Sequence, residues 1–175
     1  MKRALLAIGV LLLTGCATLQ SQSDPLAHLL DLIDQRLAIG EEVARSKWNS
    51  GAPVEDAARE REIVDAIGVQ AAVHNLEPAF AQEFFRAQIE ASKIVQNARL
   101  AQWRASKQPS FDNVPELQRD IRPQLDRLTT AMLAALAQAM PALGTPDANA
   151  RLAAHATDAP HAAALAPLRK SALKH

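Results

Sequence analysis

The chain has 175 residues, enough for one domain with a sizeable buried core. It carries 19 basic and 19 acidic residues, no Tyr, four Phe, two Trp and a single Cys. The balanced charge excludes a generic nucleic-acid or polybasic membrane binder, and one cysteine excludes a disulfide scaffold. Abundant Ala, Leu, Gln, Glu and Arg, without β-branched runs or Asn-Gly hairpin turns, predict an all-α fold.

Residues 1–20 read as a segment outside the fold. Lys2 and Arg3 precede an apolar run, Ala4 to Leu13, that is too short to span a bilayer. This is the pattern of a secretory signal peptide, and it predicts an exported protein. Leu13-Thr14-Gly15-Cys16 resembles a bacterial lipobox, which makes Cys16 a lipid anchor. The alternative is plain signal cleavage after Gly15-Cys16-Ala17. In both cases the remaining chain has no thiolate chemistry. Loss of Lys2 and Arg3, with no acid, leaves a net charge of about −2.

Ser21 to Pro25 is a polar tether, in which Asp24 caps a helix that has Pro25 at its first position. The first helix is predicted from Pro25 to Trp48, ended by Asn49-Ser50-Gly51-Ala52. Pro53 opens a second helix to His74, with Glu55 and Asp56 in its first turn. Asn75-Leu76-Glu77-Pro78 is a turn into a third helix, Pro78 to Ser106. Lys107 to Val114 is a loop, and a fourth helix covers Pro115 to Met140 with a bend at Pro123. Gly144, Pro146, Pro160 and Pro167 then act as breakers in an Ala-rich stretch with one or two short helices. The domain division is therefore 21–141 for the helical domain and 142–175 for a C-terminal helical extension.

Polar residues stand where core residues belong. Leu29, Ile33, Arg36, Gly40, Val43 and Lys47 step by four and three and so share one helix face. Arg36 and Lys47 are eleven residues apart, about three turns, so they stack on that face. Cations that snorkel to water would give the same pattern. In the third helix Ile89, Ser92, Gln96, Leu100 and Trp103 share a face, and a buried glutamine without partners is costly. A structural inter-helix hydrogen bond would explain Gln96 equally well. Asp56, Arg59, Glu60 and Ile63 fall at i, i+3, i+4 and i+7 in the second helix, where Arg59 can pair with Asp56, Glu60 or Glu62. Arg122 sits beside an apolar stripe in the fourth. Together these residues describe a polar pocket among facing helices. Arg36, Lys47, Arg59 and Arg122, set against Asp56 and Glu60, leave a surplus of about two positive charges, which suits a dianionic ligand.

Leu29-Leu30-Asp31-Leu32-Ile33-Asp34-Gln35-Arg36-Leu37 with Lys47-Trp48 resembles the first helix of AroQ-type chorismate mutases. Pro53-Val54-Glu55-Asp56 with Arg59-Glu60, and Arg122-Pro123-Gln124-Leu125-Asp126, resemble further motifs of that family. Phe84-Phe85-Arg86-Ala87-Gln88-Ile89-Glu90-Ala91-Ser92-Lys93 with Gln96 is similar to a segment of the exported gamma subclass. The match spans residues 24–140 in the correct order. The resemblance implies a bundle of three long helices plus a fourth, and rearrangement of chorismate to prephenate. It implies no cofactor and no metal, a periplasmic location and a homodimer. It gives Arg36, Arg59 and Arg122 the two substrate carboxylates, and Lys47 and Gln96 the ether oxygen, so that Lys47, Gln96 and Arg59 are the catalytic set. Asp56 and Glu60 contact the ring hydroxyl or orient the cations, Ser92 contacts a carboxylate, and Ile63 lines the pocket where some relatives have glutamine. Arg122 completes the site within one chain, as in exported relatives. Some exported relatives have a disulfide, which this chain cannot form.

Two rival functions remain at this level. A non-enzymatic helical envelope lipoprotein or adaptor requires the charged stripe positions to be solvated. A metal or haem four-helix bundle requires paired ligands, yet His28, His74, His155, His161 and His175 contain no pair at i, i+3 or i+4, and Cys-x-x-Cys-His does not occur.

Overall fold

Each of the helices starts where a side chain or a proline relieves its first amides. In a computed structural model that describes residues 24–172, six α-helices follow one another. The expected signal peptide and lipobox lie outside the described residues. Helix α1 is Pro25–Ser50, α2 Ala57–Ala71, α3 Pro78–Ser106, α4 Arg122–Ala139, α5 Pro146–His155 and α6 Ala159–Ala172. No strand occurs among the described residues, and no described helix is long and apolar enough to cross a membrane. Asp24 accepts from the amides of Leu26 and Ala27, and Gly51 ends α1 in the left-handed region at φ 68°. Glu77 caps α3 in the same way, through the amides of Ala79 and Phe80.

Helix α1 packs on both α3 and α4, α2 packs on α3, and α6 runs along α3 with α5 against it. Phe84 and Phe85 are fully buried at the centre, their rings edge to face at 5.2 Å. Each contributes about 1.5–3 kcal/mol by leaving water. Close approach of α1 to α3 depends on Gly40, where an added Cβ would lie 3.3 Å from Ser92 Oγ and 3.5 Å from Val95. The α1–α3 seam can therefore hold polar groups opposite each other with little space between them. A smaller cluster of Ala44, Leu100 and Trp103 closes the far end of the seam. There Asn49 brackets Phe111 by two hydrogen bonds of 2.8 and 2.9 Å, pinning the loop after α3.

Three boundaries differ from the sequence expectation. Helix α2 begins at Ala57, not Pro53, because the Asp56 side chain accepts from the Arg59 amide and makes Asp56 the cap. Residues 53–56 stay non-helical, and this leaves the Val54 carbonyl available to a side chain. The bend expected at Pro123 is instead a π-helical turn over Leu117–Ile121 that leads into α4. Proline cannot donate to the carbonyl four residues back and its ring crowds it, so the preceding turn widens. The third difference is Pro167, which lies inside α6 and does not break it. The fully buried Leu165 and Leu168 hold that helix in the same core as α1, α3 and α4. Pro146 and Pro160 sit within the first two positions of α5 and α6, where no amide donor is needed.

Candidate active site

The stripe on α1 turns inward, and four elements meet it. Arg36, Val43 and Lys47 from α1, the segment before α2, the middle of α3 and the start of α4 line one hollow of about 120 Å³. A single water needs only about 10–15 Å³, so there is room for a larger guest. All nine residues singled out from the sequence border it: Arg36 and Lys47; Asp56, Arg59, Glu60 and Ile63; Ser92 and Gln96; and Arg122 of the same chain.

Arg36 is buried as deeply as Gln96. It is 5% exposed, and its Nε and Nη1 have no hydrogen-bond partner. Burial pushes its pKa down to about 10, opposed only in part by Asp126. The guanidinium is thus still charged at neutral pH, with donors held out of water and unmatched. Lys47 is 8% exposed and donates to the Val54 carbonyl at 2.7 Å. Burial lowers its pKa too, while Asp56 and Glu60 pull it back. Gln96 donates from Nε2 to Ser92 Oγ at 3.1 Å, and its Oε1 is buried without a partner.

The acids of the site mostly position cations. Asp56 Oδ2 accepts from Arg122 at 3.1 Å. Arg59 pairs with Glu62 at 3.4 Å and with Asp126 at 3.2 Å, so of its expected partners only Glu62 holds. Glu60 Oε1 accepts from the Asp56 amide, and Glu60 Oε2 pairs with Lys93 at 3.4 Å. This occupies the two acids otherwise expected beside Arg59.

Lys93 and Asp126 are the charged lining residues missing from the sequence expectation. Lys93 is bonded to Glu90, Glu55 and Glu60, which raise its pKa. Their spacing did carry the signal: Lys93 is four residues after Ile89 and Asp126 four after Arg122, each one helical turn on. Including them gives five cations against three carboxylates around the hollow, again a surplus of two positive charges.

The comparisons with known proteins fit this geometry. A family described as chorismate mutase type II matches residues 27–97. A secreted chorismate mutase of Mycolicibacterium smegmatis is 32% identical over 145 residues, covering 81% of this chain and 80% of that protein. A chorismate mutase crystal structure from Burkholderia thailandensis superposes with TM-score 0.70 at 38% identity, over 86% of this chain and 98% of that one. One from Burkholderia phymatum gives TM-score 0.74 at 30% identity, over 83% and 96%. With the inward stripe, a pocket lined by one chain and a relative 32% identical over 81% of this chain, the chain belongs to the type II chorismate mutase family.

Proposed function

We infer that this chain is an exported chorismate mutase that uses the hollow between α1, α2, α3 and α4 to rearrange chorismate to prephenate. In this pericyclic step the ether C–O bond to the ring breaks while the enolpyruvyl methylene carbon bonds to the ring carbon bearing the carboxylate. No proton, electron or leaving group departs. The protein must fold a flexible dianion into a compact chair and meet the negative charge that grows on the ether oxygen.

The observation that carries this reading is the buried, unmatched guanidinium of Arg36 in a hollow with two surplus positive charges. A substrate carboxylate supplies the missing acceptors. Arg122 and Arg59 hold the carboxylates from the rim, steadied by Asp56 and Asp126. Ser92 contacts a carboxylate, Ile63 packs on the ring, and Glu60 lies nearest the ring hydroxyl with Asp56. Lys47 grips the ether oxygen with Gln96. Turning the Gln96 amide over lets Oε1 accept from the Ser92 hydroxyl and frees Nε2 to donate into the pocket with the same shape. That arrangement removes the orphaned carbonyl as well.

Export is supported by the leader-like residues 1–20 and by relatives named secreted chorismate mutases. A periplasmic location, lipid attachment through Cys16 and a homodimer complete the proposal. The direct test follows chorismate absorbance with purified protein. Steady loss of chorismate, together with a rise in unfolding temperature on adding a dicarboxylate transition-state analogue, is expected. A helical adaptor would give neither.

The pH profile tests the Gln96 role. An amide is neutral at every relevant pH, so kcat/KM should be nearly flat between about pH 5 and 8. The first loss should come on the alkaline side, where Lys47, lowered by burial, gives up its proton earlier than an ordinary lysine. Gln96→Glu should be active only toward acid, because the carboxyl donates only when protonated. An acid-limited profile in the unmodified protein would contradict the assignment.

A further inference from the structure

Away from the pocket, Asp34, His155 and His161 converge where α1 meets the break between α5 and α6. One ligand-capable atom from each lies within 4.8 Å of the others. His155 Nε2 is 2.8 Å from Asp34 Oδ1, and His161 Nε2 is 3.3 Å from the same oxygen. The two imidazoles stand edge to face, 5.6 Å between centroids. Periodicity along one helix misses this pair, because the two histidines end and begin different helices and only the turn between them brings the rings together.

Asp158 fixes the far side of His161. Its Oδ1 accepts from the His161 amide at 2.9 Å and from Nδ1 at 2.6 Å. These two bonds fix the orientation of the ring. Nδ1 is thus engaged by Asp158, and Nε2 is the ring nitrogen left facing the Asp34 oxygen. Two imidazole nitrogens and a carboxylate oxygen therefore converge on one gap. A carboxylate on the outer nitrogen of a histidine is also the arrangement that fixes the tautomer and raises basicity at metal centres.

We propose that Asp34, His155 and His161 form a binding site for a divalent transition metal of the Zn²⁺ type, supported by Asp158 and completed by water. Imidazole nitrogen with carboxylate oxygen suits such ions. A tetrahedral ion with bonds of about 2.0–2.1 Å spaces its donors by roughly 3.3 Å. The His161–Asp34 separation has that value already, and His155 must withdraw by about half an ångström on binding. The three side chains are 24–43% exposed, so an ion reaches them from solvent without unfolding.

The position of the site determines its effect. Asp34 and Arg36 are two residues apart on α1, about 200° around the helix, so the ion sits on the face turned from the pocket. It ties α1 to α5 and α6, and α6 in turn lies along α3, the helix that carries Ser92 and Gln96. The metal therefore braces the fold and takes no part in the rearrangement.

Titrating the full chain with Zn²⁺ alone, by calorimetry and by thermal unfolding, tests this. One ion per chain and a raised unfolding midpoint are expected. Asp158→Asn should weaken the affinity about 10–100-fold by removing the outer carboxylate. His155→Ala/His161→Ala should lose saturable binding while keeping turnover. Co²⁺ added to the unmodified chain should develop visible absorption from nitrogen and oxygen ligands, a readout that needs no variant to fold. Absence of that absorption overturns the proposal, as does Zn²⁺ binding equally well to the double variant. In either event a proton alone fills the gap.

Discussion

Lys47→Ala should lower kcat by at least about a hundredfold, by analogy with loss of a preorganised oxyanion donor. The ammonium is 8% exposed and held by the Val54 carbonyl at 2.7 Å, so it needs no reorganisation when charge develops on the ether oxygen. It interacts more strongly with the transition state than with the ground state, and such interactions raise kcat more than they lower KM. KM should accordingly change only a few-fold. Lys47→Met separates chemistry from packing, since it keeps an unbranched apolar stem and removes the charge. Near-full turnover in both variants would remove Lys47 from the mechanism.

Arg36→Met should do two opposite things. Its guanidinium carries a charge where burial depresses its pKa to about 10, which corresponds to about 3 kcal/mol against the folded state. The sign follows from the direction. A cation with a depressed folded pKa costs stability at every pH below that value, and the cost is relieved only as pH rises through about 10. At neutral pH the whole cost is present. Replacing such a group by an apolar side chain of similar length is commonly neutral or stabilising by about 1–4 kcal/mol. The ligand-free variant should therefore unfold a few degrees higher, at about 2–4 °C per kcal/mol for a chain of this size.

The same variant should lose at least about a hundredfold in kcat/KM, because removing one side of a buried charge pair costs roughly 2–5 kcal/mol in the complex. Much of the loss belongs in KM, since a carboxylate clamp acts on substrate and transition state alike. A transition-state analogue should raise the unfolding temperature of the unmodified protein and not that of the variant. If Arg36→Met unfolds earlier without ligand and binds the analogue as before, the buried guanidinium is a structural part and not a receptor.

The exported, all-helical character, the helix order and the shared faces of the cations were determined by the sequence itself, while their inward turn came from the packing. Caps and prolines at Asp24, Glu77 and Pro78 act within a few residues, and the i, i+3, i+4 steps place Arg36 with Lys47 and Ser92 with Gln96 on single faces wherever the helices pack. Partners across helices were decided only by the tertiary structure. Which acid meets Arg59 or Arg122 depends on how α2 and α4 lie against each other, so Asp126, 67 residues from Arg59, took a place that spacing gave to its neighbours. The start of α2 was settled by the contest between Asp56 and Pro53 for the cap, and the π turn before α4 by a proline in its second position. The Asp34–His155–His161 cluster is the extreme case, joined across 121 residues by a break between two short helices. Periodicity reports the face a residue shares with its own helix; contacts between helices depend on packing distances and turn geometry, which the spacing of residues along the chain does not contain.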